Sequence, residues 1–178
     1  FDLKIVDDNG KRLPEDGKSI GNLFIRGNTI AGGYYNNEEA SKAAIDDEGY
    51  FGTGDVASID DKGFLRLTDR AKDLIKSGGE WISSIDLENR AMSHPDVENC
   101  AVIAIPHEKW DERPLLVVVP ADGKKPSKDE LIKHLEGHFA KWQMPDDVVY
   151  EDELPLTATG KVSKLTLRRK YENYTLAS

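Results

Sequence analysis

The spacing of apolar and polar positions changes character near residue 70. Before it, Phe1 to Val6 and Asn22 to Arg26 alternate in the manner of half-buried strands, punctuated by Asn9-Gly10 and by Gly21, Gly27, Gly32 and Gly33. This predicts part of a β-barrel or sheet. A short helix is expected over Glu38 to Ala44, with Asn37 as its cap and Glu38 and Glu39 in the first turn, where the helix dipole favours acids. Two further strands, Tyr50 to Asp60 and Phe64 to Arg70, flank a turn at Asp61-Lys62-Gly63. Folding about that turn sets Asp55 opposite the region of Thr68, so Asp55 and Arg70 are expected to be neighbours.

After residue 70, strand-like and helix-like periods alternate. Gly78-Gly79 accept the positive φ angles of a two-residue hairpin turn, predicting a tight hairpin over Asp73 to Ser83. Ser83 or Ser84 caps a helix running to about Ser93, ended by His94-Pro95. Val97 to Ile105 is nearly all apolar after Asn99, the mark of a strand covered on both faces, and Pro106 is expected to stop it. Leu115 to Val119 reads as a second buried strand and Val148 to Tyr150 as a third. Ser127-Lys128-Asp129-Glu130 is a capping box, with Leu131, Leu135 and Phe139 at helical spacing beyond it. A final basic helix follows Thr159-Gly160, over Val162 to Tyr171. The fold class is α+β or α/β: a β-rich segment (1–70), then a small α/β domain (71–178) with a hairpin and a three-stranded sheet packed with helices. The boundary falls near Asp69 to Lys72.

Composition narrows the function classes. A chain of 178 residues holds one well-cored domain, or the end of one domain and a small second one. A net charge of -9 argues against a general nucleic-acid binder, which needs a cationic face. The longest apolar runs, near Cys100 to Pro106 and Leu115 to Ala121, fall short of the ~20 residues of a membrane span. The single cysteine, Cys100, cannot form an internal disulfide and is expected to be a small buried side chain, in keeping with a reducing cytosol. Opening on Phe1, in strand-like alternation without an initiator methionine or leader, the chain reads as a piece of a longer protein.

Residue types leave the candidate chemistry open. Lys72, Lys76 and Trp81 bring two cations and an indole to the glycine turn, which suits either a working loop or an edge hairpin kept soluble by lysines. Gly52 and Gly54 clear bulk around Thr53 before Asp55, as expected where something approaches the backbone, or simply in a turn beside a surface ion pair. Lys161 follows Leu156-Thr157-Ala158-Thr159-Gly160, a small stretch with few anchors, and its ammonium suits a phosphoryl or carboxylate oxygen. Lys164, Arg168, Arg169 and Lys170 read mainly as a solvated helix end, with anion binding as the alternative. His134 and His138 have a metal-binding spacing, but Glu136 points away from their shared face, so an ordinary surface helix is expected. His107 to Arg113 reads as a polar loop.

Taken together, Thr53-Gly54-Asp55, Asp69-Arg70-Ala71-Lys72-Asp73-Leu74, Lys76-Ser77-Gly78-Gly79-Glu80-Trp81-Ile82-Ser83 and Thr159-Gly160-Lys161 resemble the C-terminal motifs of the AMP-forming acyl-CoA synthetases. Ser84 to Asn89, His107 to Pro114 and Lys141 to Pro145 are most similar to the bacterial medium- and long-chain fatty acyl-CoA synthetases. The resemblance implies that a fatty acid and ATP form acyl-AMP and pyrophosphate, and that CoA then displaces AMP. It implies that Asp55 accepts bonds from the ribose hydroxyls and Arg70 helps hold the nucleotide. Lys72 would be the hinge of a mobile C-terminal domain, and Lys161 would bridge carboxylate and α-phosphate. After rotation, Lys76, Gly79 and Trp81 would face the adenylate, with Gly78 and Gly79 leaving room for the CoA arm. Magnesium would travel with ATP, and no residue here is singled out as its ligand. Gly52 departs from the basic residue often found before Thr-Gly-Asp in relatives. The missing partner would be the N-terminal domain of the same chain, without which the piece is expected to be inactive and to self-associate. A cytoplasmic or membrane-peripheral location follows. Delivery to a carrier protein, a luciferase-like oxygenase and a stand-alone binding module are the alternatives.

Overall fold

A computed structural model describes residues 1–175, and the backbone divides into two compact units, the first Phe1–Lys72 and the second from Asp73 onward. In the first unit β1 (Asp2–Val6), β2 (Gly21–Arg26), β3 (Phe51–Ile59) and β4 (Leu65–Arg70) form a four-stranded antiparallel sheet in that order. Alternation puts Ile5, Leu23, Ala57 and Ile59 into one buried cluster. A bulge between Val56 and Ala57 resets the register so that Asp55 and Arg70 are direct partners. Helix α1 (Glu38–Ala44) starts where Asn37 accepts from the Ala40 N–H, and it buries no residue.

The second unit contains β5 (Ile75–Ser77), β6 (Glu80–Ile82), α2 (Ser84–Met92), β7 (Val97–His107), β8 (Asp111–Pro120), α3 (Lys128–Leu135), β9 (Asp147–Tyr150) and α4 (Lys164–Lys170). β8 is central: it pairs antiparallel with β7 along its length and parallel with β9. The β5–β6 hairpin joins the same sheet at Ser77 opposite Asp111, making it five-stranded. The apolar runs of β7 and β8 have the two-sided burial expected of them. Cys100, Val102, Leu116 and Val118 pack with Leu87, Ala91, Leu131 and Leu135 of α2 and α3. Ala101, Ile103, Ile105, Leu115, Val117 and Val119 pack with Leu167 of α4 and with Leu154.

Expectations around Pro106 and around Gly137 need correction. β7 continues through Pro106 to His107, because β7 is an edge strand and a missing N–H there breaks no ladder bond the sheet requires. His107 and residues 111–113 are therefore the ends of paired strands, not a loop. Helix α3 ends at Leu135; Gly137 at φ +79° turns the chain in the left-handed region, so Phe139 reaches the core from outside the helix. His138 lies past that turn, and the helical face it was expected to share with His134 does not exist. Among the described residues no helix is long and apolar enough to cross a membrane.

Candidate functional site

The first unit carries Asp55 and Arg70. Their pairing across β3 and β4 closes an Arg70 Nε to Asp55 Oδ1 bond of 2.9 Å, with the guanidinium half exposed. The approach is shaped by its neighbours: the Thr53 hydroxyl donates to the Leu23 carbonyl and accepts the Asp55 N–H. Gly54 sits at φ +73°, and its carbonyl accepts the Ala71 N–H. An ionised carboxylate has about four acceptor sites, so the ion pair leaves Asp55 capacity for hydroxyl donors.

In the second unit, Gly78 and Gly79 form the two-residue turn between β5 and β6, at φ +60° and +85°. Their surroundings differ. A Cβ on Gly78 would meet the Trp110 ring at 2.8 Å, whereas one on Gly79 would meet nothing within 4 Å. Lys76 lies across the hairpin from Trp81, with its ammonium 4.5 Å from the indole centroid, a cation–π geometry. Its backbone N–H donates to Glu112.

Sequence reasoning gave no role to the residues beside this turn. A cavity of about 510 Å³ is lined by Ser77, Gly78, Glu80, Trp110, Trp142 and Asp146, with Arg113 at its wall. Arg113 is buried on β8, and its Nε donates to both Asp146 oxygens at 2.9 Å. The rest of its fork reaches the Ser77 hydroxyl and the carbonyls of Trp142 and Met144. Spending every donor in this way lets a guanidinium sit under the hairpin. The only hint in the sequence is an arginine directly before Pro114 and a strongly apolar strand.

Lys161 is exposed at the end of a turn that is better anchored than expected. The Thr157 N–H donates to the Lys161 carbonyl at 2.7 Å, the Gly160 N–H to the Thr157 carbonyl, and the Ser163 N–H to the Pro155 carbonyl. The Thr157 hydroxyl also accepts the Lys161 N–H. Backbone bonds fix the turn while the ammonium stays outside it. The basic helix that follows is a solvated end only in part, since Arg169 and Lys170 are exposed while Lys164 and Arg168 are drawn in. Lys164 pairs with Glu88 at 2.7 Å and donates to Ser84, Arg168 pairs with Asp73 at 2.7 Å, and Lys170 pairs with Glu151 at 2.6 Å.

Cys100 and His134 are also displaced from their ordinary values. Burial pushes the Cys100 thiol up to about 12, with Glu88 adding to the effect. His134 is lowered, first by burial and then by Arg90 and His94. Among the described residues no group of three or more His, Cys, Asp or Glu side chains could hold a metal ion.

Residues 86–161 match the family model described as the AMP-binding enzyme C-terminal domain. The chain is 53% identical over 173 residues to a long-chain-fatty-acid–CoA ligase of Thermus thermophilus, covering 97% of this chain and 32% of that protein. It is 51% identical over 172 residues to a 3-methylmercaptopropionyl-CoA ligase of Ruegeria pomeroyi, covering 97% of this chain and 31% of that one. ATP-bound MatB from Rhodopseudomonas palustris superposes with a TM-score of 0.86 at 32% identity, over 97% of this chain and 34% of MatB. The chain thus spans about a third of the length of the curated relatives it matches.

Proposed function

We propose that this chain, whose residues 86–161 match the AMP-binding enzyme C-terminal domain, is the C-terminal third of an AMP-forming acyl-CoA ligase acting on a fatty acid. Asp55 accepts the ribose hydroxyls of ATP and of acyl-AMP, and Arg70 holds Asp55 while adding positive charge beside the nucleotide. Lys161 stabilises the negative charge shared by the carboxylate and the α-phosphate as acyl-AMP forms. Lys72 is the hinge at which the domain turns between half-reactions. In the second, Lys76, Gly79 and Trp81 face the adenylate, and the bare Gly79 leaves passage for the thiol arm of CoA. The cavity beside the turn suits the other end of CoA, since indoles such as Trp110 and Trp142 are surfaces on which a purine stacks. Magnesium would enter as the companion of ATP.

The observation that supports this reading is that Lys161, at the end of one hydrogen-bonded turn, and Gly79, within another, are both exposed. In the full-length ligase, Lys161→Ala should lower single-turnover formation of acyl-AMP by about 10²-fold or more. It should spare thioester formation from preformed acyl-AMP, and equal loss of both would overturn the two-role assignment. Offering CoA and a purified carrier protein in parallel separates the ligase from an enzyme that charges a carrier. The chain alone exposes Phe64, Leu65 and Leu67 around β4, and it is expected to self-associate. A monodisperse monomer in light scattering would count against that.

A further inference from the structure

Helix α4 begins three residues after Lys161 and is tied down at both ends of its inner side. Near its start, Lys164 binds Glu88 and Ser84 of α2, while Glu88 also accepts the N–H of Val102 on the edge strand β7. This link wraps the sheet edge and joins α2 on one face to α4 on the other. One turn further on, Arg168 Nη1 donates to Asp73 Oδ1 at 2.7 Å, with the two side chains only 24% and 11% exposed. Asp73 is the first residue of the second unit and directly follows Lys72. Leu167, between these cations, is fully buried against the sheet.

A chain of short, stiff links therefore runs from the unit boundary to the tip that carries Lys161: Asp73, Arg168, one short helix, its Ser163 cap and the bonded turn. We infer that Arg168 is a positioning residue for the acyl-adenylate-forming step, acting through Asp73 to fix where Lys161 stands relative to the start of the domain. This rests on the reading of Lys161 given above. A partly buried pair suits the role because removing one partner leaves the other charged group stranded, so the link does not slacken gradually. The β5–β6 hairpin has holds of its own besides these, in its ladder and in the bond from Arg113 to Ser77.

The test uses the full-length ligase and measures each half-reaction separately. Arg168→Met keeps the stem and removes the fork, and it should lower acyl-AMP formation by on the order of 10- to 100-fold, the scale of a catalytic group displaced by about 1 Å. Thioester formation from preformed acyl-AMP should stay at the wild-type rate. In a Lys161→Ala background, Arg168→Met should cause no further loss, because its effect passes through the missing ammonium. Reversing the pair, Asp73→Arg with Arg168→Asp, should recover part of what either change loses alone. If Arg168→Met lacks a cooperative melt, Arg168→Lys carries the same test with a smaller loss. Unchanged adenylation, parallel loss of both half-reactions, or a loss that persists in the Lys161→Ala background would overturn the inference. If Lys161→Ala itself spares adenylation, the functional reading fails first.

Discussion

Gly78 and Gly79 share a left-handed backbone but differ in what a methyl group would meet, and this separates structural from functional effects at one turn. For Gly79→Ala the cost is the left-handed conformation alone, roughly 1–2 kcal/mol. Gly78→Ala adds a displaced Trp110 ring, and overpacking of this kind costs about 1–3 kcal/mol more. Urea titration should therefore rank Gly78→Ala as clearly the less stable, while a larger residue at 79 should chiefly slow thioester formation. Reversed ranks would show that Trp110 does not pack on the turn in solution. The need for positive φ was legible in two adjacent glycines. The Trp110 contact was not, because it comes from the tip of the β7–β8 hairpin, which local spacing does not see. Cys100 was legible as a buried thiol; held up at about 12 by its surroundings, it should resist iodoacetamide at pH 8 until the chain unfolds. Rapid native labelling would contradict that.

Elements were readable where their cause is local. Ser127 and Glu130 exchange bonds with each other's backbone N–H, as the capping box predicts, so α3 begins where its sequence says. Its end was not readable, since Phe139 keeps the apolar period while Gly137 changes the path: periodicity reports burial, not the route taken to it. The basic residues of α4 misled for a similar reason, because Glu88, Asp73 and Glu151 lie far off in sequence. Likewise Arg113, in a stretch of charged residues, gave only its place before Pro114 and an apolar strand as a sign that it would be buried beneath the hairpin. Arg113→Met removes a group that ties β5, β8 and the segment around Trp142 together and leaves Asp146 unpaired. A loss of about 3–5 kcal/mol is expected, read as a lower urea midpoint. A loss below about 1 kcal/mol would mean that the network behaves like a surface ion pair.

On the scale of the whole molecule, the displaced titrations fix how stability depends on pH. Burial works against ionisation of Asp46, Asp147 and Glu151. In each it is outweighed by bonds, from Lys4 and Tyr50, from Lys128 and Tyr174, and from Lys170 and Tyr171 respectively, so all lie below their ordinary values of 3.8, 3.8 and 4.5. A depressed carboxylate contributes stability that is complete above its unfolded pKa and is lost as pH falls through the folded one. These groups therefore act below about pH 4.5. His134 is also depressed, by burial first, but its ordinary value is 6.5, so its contribution starts to disappear at a higher pH. Its ring lies against Ser93, the Arg90 carbonyl and the edge of His94, where a second positive charge is unwelcome. On the alkaline side Tyr174 is raised to about 12, by its bond to Asp147 and by burial, so its contribution is complete below pH 10 and is lost on passing that value. The unfolding free energy should then be level from about pH 7 to 9, fall above that as the unfolded Cys100 thiol (ordinary value 9.0) and then Tyr174 ionise, dip below pH 6.5, and fall further below about pH 4.5. His134→Gln should flatten the first dip and leave the second, in urea titrations repeated across that range. A dip that survives the substitution would place its origin in another group.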